Sequence, residues 1–142
     1  MGLKSFLVKP FAKKIARDIE RWSARAVEEQ DKVFRNLIQV GTTTAFGRDH
    51  DFDGIRTIRD YQERVPIRDY EGLRPYVERI KNGESDILWK GRPRYFAKTS
   101  GTTSGVKYIP ITSDSLPNHF GTARNALFNY YARSGHGKWL DG

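Results

Sequence analysis

The sequence predicts an α/β fold, rich in helix, with a few short strands gathered around one polar loop. Apolar residues recur at helical spacing from Leu7 to Ile38. After Gly83 the period shortens to that of strands. Between two short apolar runs, residues 94–97 and 108–111, lies a stretch built almost wholly of Ser, Thr and Gly. At 142 residues, with 37% hydrophobic and 13% aromatic content, the chain has the length of one domain and the apolar material for a core.

Each element has a local reason. Leu7, Phe11, Ile15, Ile19 and Trp22 fall on one stripe of a first helix, with the lysines and Asp18 on the other side. That stripe is expected to pack on the rest of the protein, ahead of the alternative of a helix lying on a membrane surface. A second helix runs from about 24 to 40 through Val27, Val33, Phe34, Leu37 and Ile38, and ends near Gly41. Residues 42–54 read as loop, because Gly47, Asp49, Asp51, Asp53 and Gly54 compete with regular structure. A short helix over 57–64 opens on Thr57 and Asp60 at capping-box spacing and stops before Pro66. Asp69 caps the next helix, which has Pro75 in its first turn, carries Tyr76, Val77 and Ile80, and ends at Gly83. Residues 87–89, 94–97 and 108–111 are expected as strands. Thr112 or Ser113 then caps a long helix to about Arg133, with Pro117 in its first turn. Phe120, Ala123, Leu127, Phe128 and Tyr131 share its face, and a short tail follows Ser134.

Composition removes several function classes. There is no cysteine, which excludes a disulfide scaffold, thiolate metal sites and a thiol nucleophile. No apolar run approaches the length of a membrane span. Phe6 stands where a myristoylation signal wants Ser or Thr, and no uninterrupted apolar segment follows the early lysines, so neither lipidation nor a secretory leader is expected. Cytoplasmic location is the default expectation. A net charge of +8 favours anionic partners without naming one.

Three clusters invite chemistry. Asp49, Asp51, Asp53 and Gly54, with Asp60 further on, match part of a calcium-binding loop, but Asp60 is shorter than the usual glutamate and Arg56 brings a repelling cation. A solvated acidic turn is the favoured reading, and no metal site is expected. His50, His119 and His136 are scattered, and no nucleophile elbow accompanies them, so each is expected on a surface or loop. The third cluster is Thr99, Ser100, Gly101, Thr102, Thr103, Ser104 and Gly105, followed by Lys107. Two glycines let the backbone curl so that several N–H groups face one point, and five hydroxyls add donors. Lys107 supplies a full charge at the edge. This is the chemistry of a polyphosphate cradle; the spacing does not fit a Walker A loop.

At these residues a family becomes recognisable. Ser-Gly-Thr-Thr over 100–103, with Lys107 four positions on, resembles the phosphate-binding loop of the adenylate-forming superfamily. The wider chain resembles one branch, the auxin-responsive acyl-acid amido synthetases and their bacterial relatives. The likeness runs through residues 44–50, Val65-Pro66-Ile67, Arg68 to Glu71, Arg74-Pro75-Tyr76, Ile80, Gly83-Glu84 and Lys107 to Pro110. One local departure is Ser104, where the superfamily commonly has glycine directly after the threonines.

The resemblance implies ATP-dependent activation of a carboxylic acid as an acyl-adenylate, then amide formation with an amino acid. It implies Lys107 as the catalytic cation, residues 99–105 as the ATP-phosphate cradle, and Mg2+ with ligands mainly outside this chain. Members are several times longer, so residues 1–142 are expected to be a single incomplete N-terminal segment of the large domain, inactive alone. Its partners are then the remainder of the enzyme and the two small substrates, with no nucleic acid and no membrane. Apolar faces left bare would make the isolated piece marginal, oligomeric or partner-dependent. Arg124 with Phe120, Leu127, Phe128 and Tyr131 suggests an acyl pocket, against the plainer reading of a core stripe. A basic, non-enzymatic module binding nucleic acid or a protein is the competing class; the spread of the charges along the chain argues against it.

Overall fold

The computed structural model describes residues 3–99 and 105–141. They fold as two compact units: residues 30–115, and a second formed by the two ends of the chain.

In the unit made of the two ends, α1 (Leu3–Ser23), α6 (Leu116–Ser134) and α7 (Lys138–Asp141) pack together. The expected stripe of α1 divides: Ile15 is buried and Ile19 partly so, but its other members are not. Ser5, Ala12 and Ile15 are buried, while Leu7, Phe11 and Trp22 stay exposed. Small side chains decide this, because they let α6 come close. The Tyr131 hydroxyl donates to the Ser5 carbonyl at 2.7 Å, and Phe11 meets Phe128 edge-on at 5.1 Å. A Cβ on Gly137 would lie 2.6 Å from the Tyr131 ring, so a glycine is required where the chain passes this residue. The expected face of α6 likewise divides: Tyr131 is buried, whereas Phe120 and Leu127 are 73% and 53% exposed. The expected tail contains α7, whose Trp139 ring packs by Phe128.

The other unit begins within α2 (Ala26–Gly41), the second helix expected from the sequence. Residues 42–54 are more ordered than a loop. Thr44 caps α3 (Ala45–Asp49), and a 3-10 turn follows over Phe52–Gly54. Thr44 is 1% exposed, and its hydroxyl both donates to the Gly41 carbonyl at 2.7 Å and accepts from the Gly47 amide at 2.9 Å. The acidic and glycine residues that point to a loop instead shape tight junctions.

α4 (Ile58–Arg64) opens on the capping box expected at Thr57 and Asp60. The Asp60 carboxylate accepts from the amides of Arg56 and Thr57 at 2.9 and 2.8 Å, and these bonds hold its pKa below the usual 3.8. The folded state therefore binds this proton less readily than the unfolded chain does. The contribution is fully present above the unfolded value and is lost as pH falls through the folded one. Asp60→Ala is expected to lower the urea midpoint at neutral pH, with the difference from the unsubstituted chain closing below pH 3.8.

Asp69 caps α5 (Tyr70–Lys81), as expected, by accepting from the Gly72 amide. The helix starts at Tyr70, so Pro75 lies inside it rather than in its first turn, removing one amide donor from the ladder. Residues 87–89 do not form a strand. The carbonyls of Asp86 and Ile87 accept from the first amides of α3, at Ala45 (2.7 Å) and Phe46 (3.0 Å). Asp86 and Gly91 also bond reciprocally and close a tight loop. Ile87, 2% exposed, joins Ala45 and Ile80 in one core cluster, and Ile38, Phe52 and Ile55 form the other.

The described strands are β1 (Tyr95–Thr99) and β2 (Lys107–Ile111), an antiparallel pair. Thr112 does cap locally, its hydroxyl accepting from the Ser115 amide, but this forms a turn and α6 begins only at Leu116. The helix-rich expectation holds, and the strands reduce to one hairpin among the described residues.

Candidate functional site

The polar loop expected to bind phosphate is the tip of this hairpin. Tyr95 faces Ile111, and the register runs through to the pair Thr99 and Lys107, which closes the ladder below the tip. Directly paired residues project from the same face of a sheet, so the Thr99 hydroxyl and the Lys107 ammonium share a side. Gly105 has φ +76°, a left-handed conformation that glycine adopts without strain, and it turns the chain back into β2. Ser100, Gly101, Thr102, Thr103 and Ser104 lie outside the described residues.

The hairpin rests on α5. The amide of Tyr108 points away from β1 and donates to the Tyr70 hydroxyl at 2.9 Å. Two residues on, position 110 faces the same outer edge, where proline's missing N–H leaves no ladder bond unmade. Lys107 Nζ stands 5.8 Å over the Tyr70 ring, and Lys81 Nζ stands 4.7 Å over the Tyr108 ring. Lys81 is also paired with Glu78 at 2.8 Å, and that bond raises its pKa. Lys107 has no carboxylate partner among the described residues. Tyr70 and Lys81 carry no sequence signal that places them here.

Asp49, Asp51 and Asp60 have separate partners. Asp49 accepts from the Tyr76 hydroxyl at 2.7 Å, Asp51 pairs with Arg64 at 3.2 Å, and Asp60 caps α4. Among the described residues no three potential ligands gather for a metal ion. Burial, and then the Asp49 carboxylate, raise the pKa of Tyr76, which keeps it a donor.

His50 lies in the turn that ends α3, within the expected surface-or-loop reading, but it is buried and stacked on Phe46 at 4.2 Å. Arg68 can only donate, so His50 Nε2, 3.0 Å from its guanidinium, accepts. His50 Nδ1 therefore carries the proton and donates to the Phe46 carbonyl at 2.7 Å. This histidine holds the Arg68 side chain, with both ring nitrogens bonded.

Arg124 is exposed on α6, its guanidinium 5.9 Å over the Phe11 ring. Phe120 and Leu127 are exposed, whereas Tyr131 on the same face is buried with its hydroxyl on the Ser5 carbonyl, so this face is only partly covered within this unit.

The sequence profile of the GH3 family N-terminal domain matches residues 15–141. Among similar proteins, the indole-3-acetic acid-amido synthetase GH3.2 of Arabidopsis thaliana is 28% identical over 105 residues, covering 72% of this chain and 19% of that protein. The probable indole-3-acetic acid-amido synthetase GH3.13 of Oryza sativa subsp. japonica is 32% identical over 108 residues, covering 69% of this chain and 23% of that protein. The chain thus matches only about a fifth of the length of these curated relatives.

Proposed function

This chain belongs to the GH3 family, and from that membership we propose that it supplies the ATP-phosphate-binding hairpin of an acid–amino acid ligase of the adenylate-forming kind. The observation that carries the reading is the closing pair of the hairpin. Thr99 and Lys107 share a face below a Ser/Thr/Gly tip, with a left-handed Gly105 between tip and strand. Similar proteins named as amido synthetases support the ligase class.

In this reading a carboxylate oxygen attacks the α-phosphorus of ATP, forming the acyl–phosphate bond as pyrophosphate leaves. The amine of an amino acid then forms the amide and AMP departs with the acyl C–O electron pair. Little covalent chemistry falls to the protein in the first step; the need is for positioning and charge neutralisation. The amides and hydroxyls of residues 99–105 hold the β- and γ-phosphates, and Lys107 offsets the charge of the departing pyrophosphate. If Mg2+ is bound, it would supply further charge neutralisation, with protein ligands mainly beyond this segment.

Exposed apolar side chains fit a polypeptide that continues over these surfaces. Val33, Leu37, Ile67 and Phe120 are all open to solvent, and a groove of about 520 Å3 lined by uncharged residues such as Phe34, Phe46, Tyr61 and Trp89 lies beside α2 and α4. The test is the reading frame downstream of Gly142 and the activity of its product. A continuation of several hundred codons is expected, whose purified protein exchanges labelled pyrophosphate into ATP only when a carboxylic acid is supplied. An intact product that binds ATP but shows no exchange across a panel of aromatic and aliphatic acids would overturn the reading.

A further inference from the structure

We propose that α1 is an interfacial anchor, which lays the N-terminal half of its open face on an anionic lipid bilayer. The structure buries Ser5, Ala12 and Ile15 of this helix and leaves Phe6 64% and Leu7 66% exposed. At about 100° per residue, Phe6, Pro10 and Leu7 share the side opposite that buried stripe. Lys9 and Lys13 border them on one flank and Lys4 on the other, while Lys14 and Arg17 continue the face toward the C-terminus. Apolar residues ringed by cations are the pattern of a helix lying in the plane of a membrane surface.

Two further observations point to lipid. These five cations have no carboxylate or hydrogen-bond partner among the described residues, unlike Arg35, Arg59, Arg64, Arg74, Arg79 and Lys81, each of which has a carboxylate within 3.2 Å. The match to the family domain starts at residue 15, so Lys4, Phe6, Leu7, Lys9, Lys13 and Lys14 precede the matched residues. No helix among the described residues is long and apolar enough to cross a membrane, so the contact is peripheral. Acidic headgroups meet the ammonium groups, and Phe6 and Leu7 enter the boundary between headgroups and acyl chains.

The test is co-sedimentation of the full chain with vesicles of equal parts phosphatidylcholine and phosphatidylglycerol, beside vesicles of phosphatidylcholine alone. Binding is expected to the anionic vesicles and not to the neutral ones, and to weaken with added salt. Lys9→Glu with Lys13→Glu is expected to reduce partitioning at least about 25-fold, from about five-fold per lysine lost. Phe6→Ser with Leu7→Ser is expected to abolish it while leaving the far-ultraviolet circular dichroism unchanged, since both side chains are exposed. Failure to bind anionic vesicles overturns the proposal. So does binding that the Phe6/Leu7 variant retains in full, or that random duplex DNA displaces completely; these would assign the patch to polyanions in general. Pyrophosphate exchange reads the hairpin and not this helix, so either proposal can fail alone.

Discussion

Lys107→Ala, made in the full-length ligase proposed here, is expected to lower acid-dependent ATP–pyrophosphate exchange by about 100-fold or more. A group that offsets charge developing on the leaving pyrophosphate acts in the transition state, so kcat should carry the loss while the KM for the acid stays put. Lys107→Arg keeps the charge but changes its shape and reach, and should recover part of the rate. The same Lys107→Ala substitution is expected to leave stability nearly unchanged. The ammonium lies 5.8 Å over the Tyr70 ring, a contact worth about 1 kcal/mol or less at a solvent-reached position. Exchange that survives Lys107→Ala at full rate removes the lysine from the mechanism. A loss matched by an equal fall in the urea midpoint of the protein would instead make it a structural residue.

Gly47→Ala should have the largest effect on folding. A Cβ at this position would lie 2.0 Å from the Gly41 carbonyl oxygen and 2.7 Å from its carbon. Both are backbone atoms at the C-terminal end of α2, so relief requires moving one helix off another rather than rotating a side chain. The same movement pulls Thr44 away from its two buried bonds. A cost of at least about 3 kcal/mol is expected, at the upper end for overpacking because two hydrogen bonds are lost as well. Urea unfolding of the chain measures it. Gly121→Ala is the matched control: it lies in α6, where an added Cβ would meet no atom within 4 Å, and a gain of roughly 0.5–1 kcal/mol is expected from helix propensity. A midpoint for Gly47→Ala equal to that of the unsubstituted chain would show that the α2–α3 junction has room to spare.

The readings that held were those whose physics is local. Thr57 and Asp69 cap helices by accepting from amides three residues ahead, so the donors sit in the same few residues of sequence. The two hairpin strands follow from short apolar runs on either side of a polar stretch, although Thr99 and Lys107 join the ladder instead of the loop. The failures share one cause. Residues 87–89 have the composition of a strand, but their neighbouring carbonyls are taken by α3, some forty positions earlier. His50 does lie in the turn after α3, but its burial depends on Phe46 and on Arg68, 18 residues away.

The amino-acid sequence by itself determined the helix-rich class, the helix caps and the Ser/Thr/Gly tip ahead of Lys107, because hydrogen bonds over three or four residues and simple periodicity specify these. Only the tertiary structure decided which side of each terminal helix is covered. On α1, shape outweighed hydrophobicity: Ser5 admits Tyr131 and Gly137 at close range, where Leu7 or Phe6 would hold them apart. Burial is a property of a pair of surfaces, and a single helix carries only one of them.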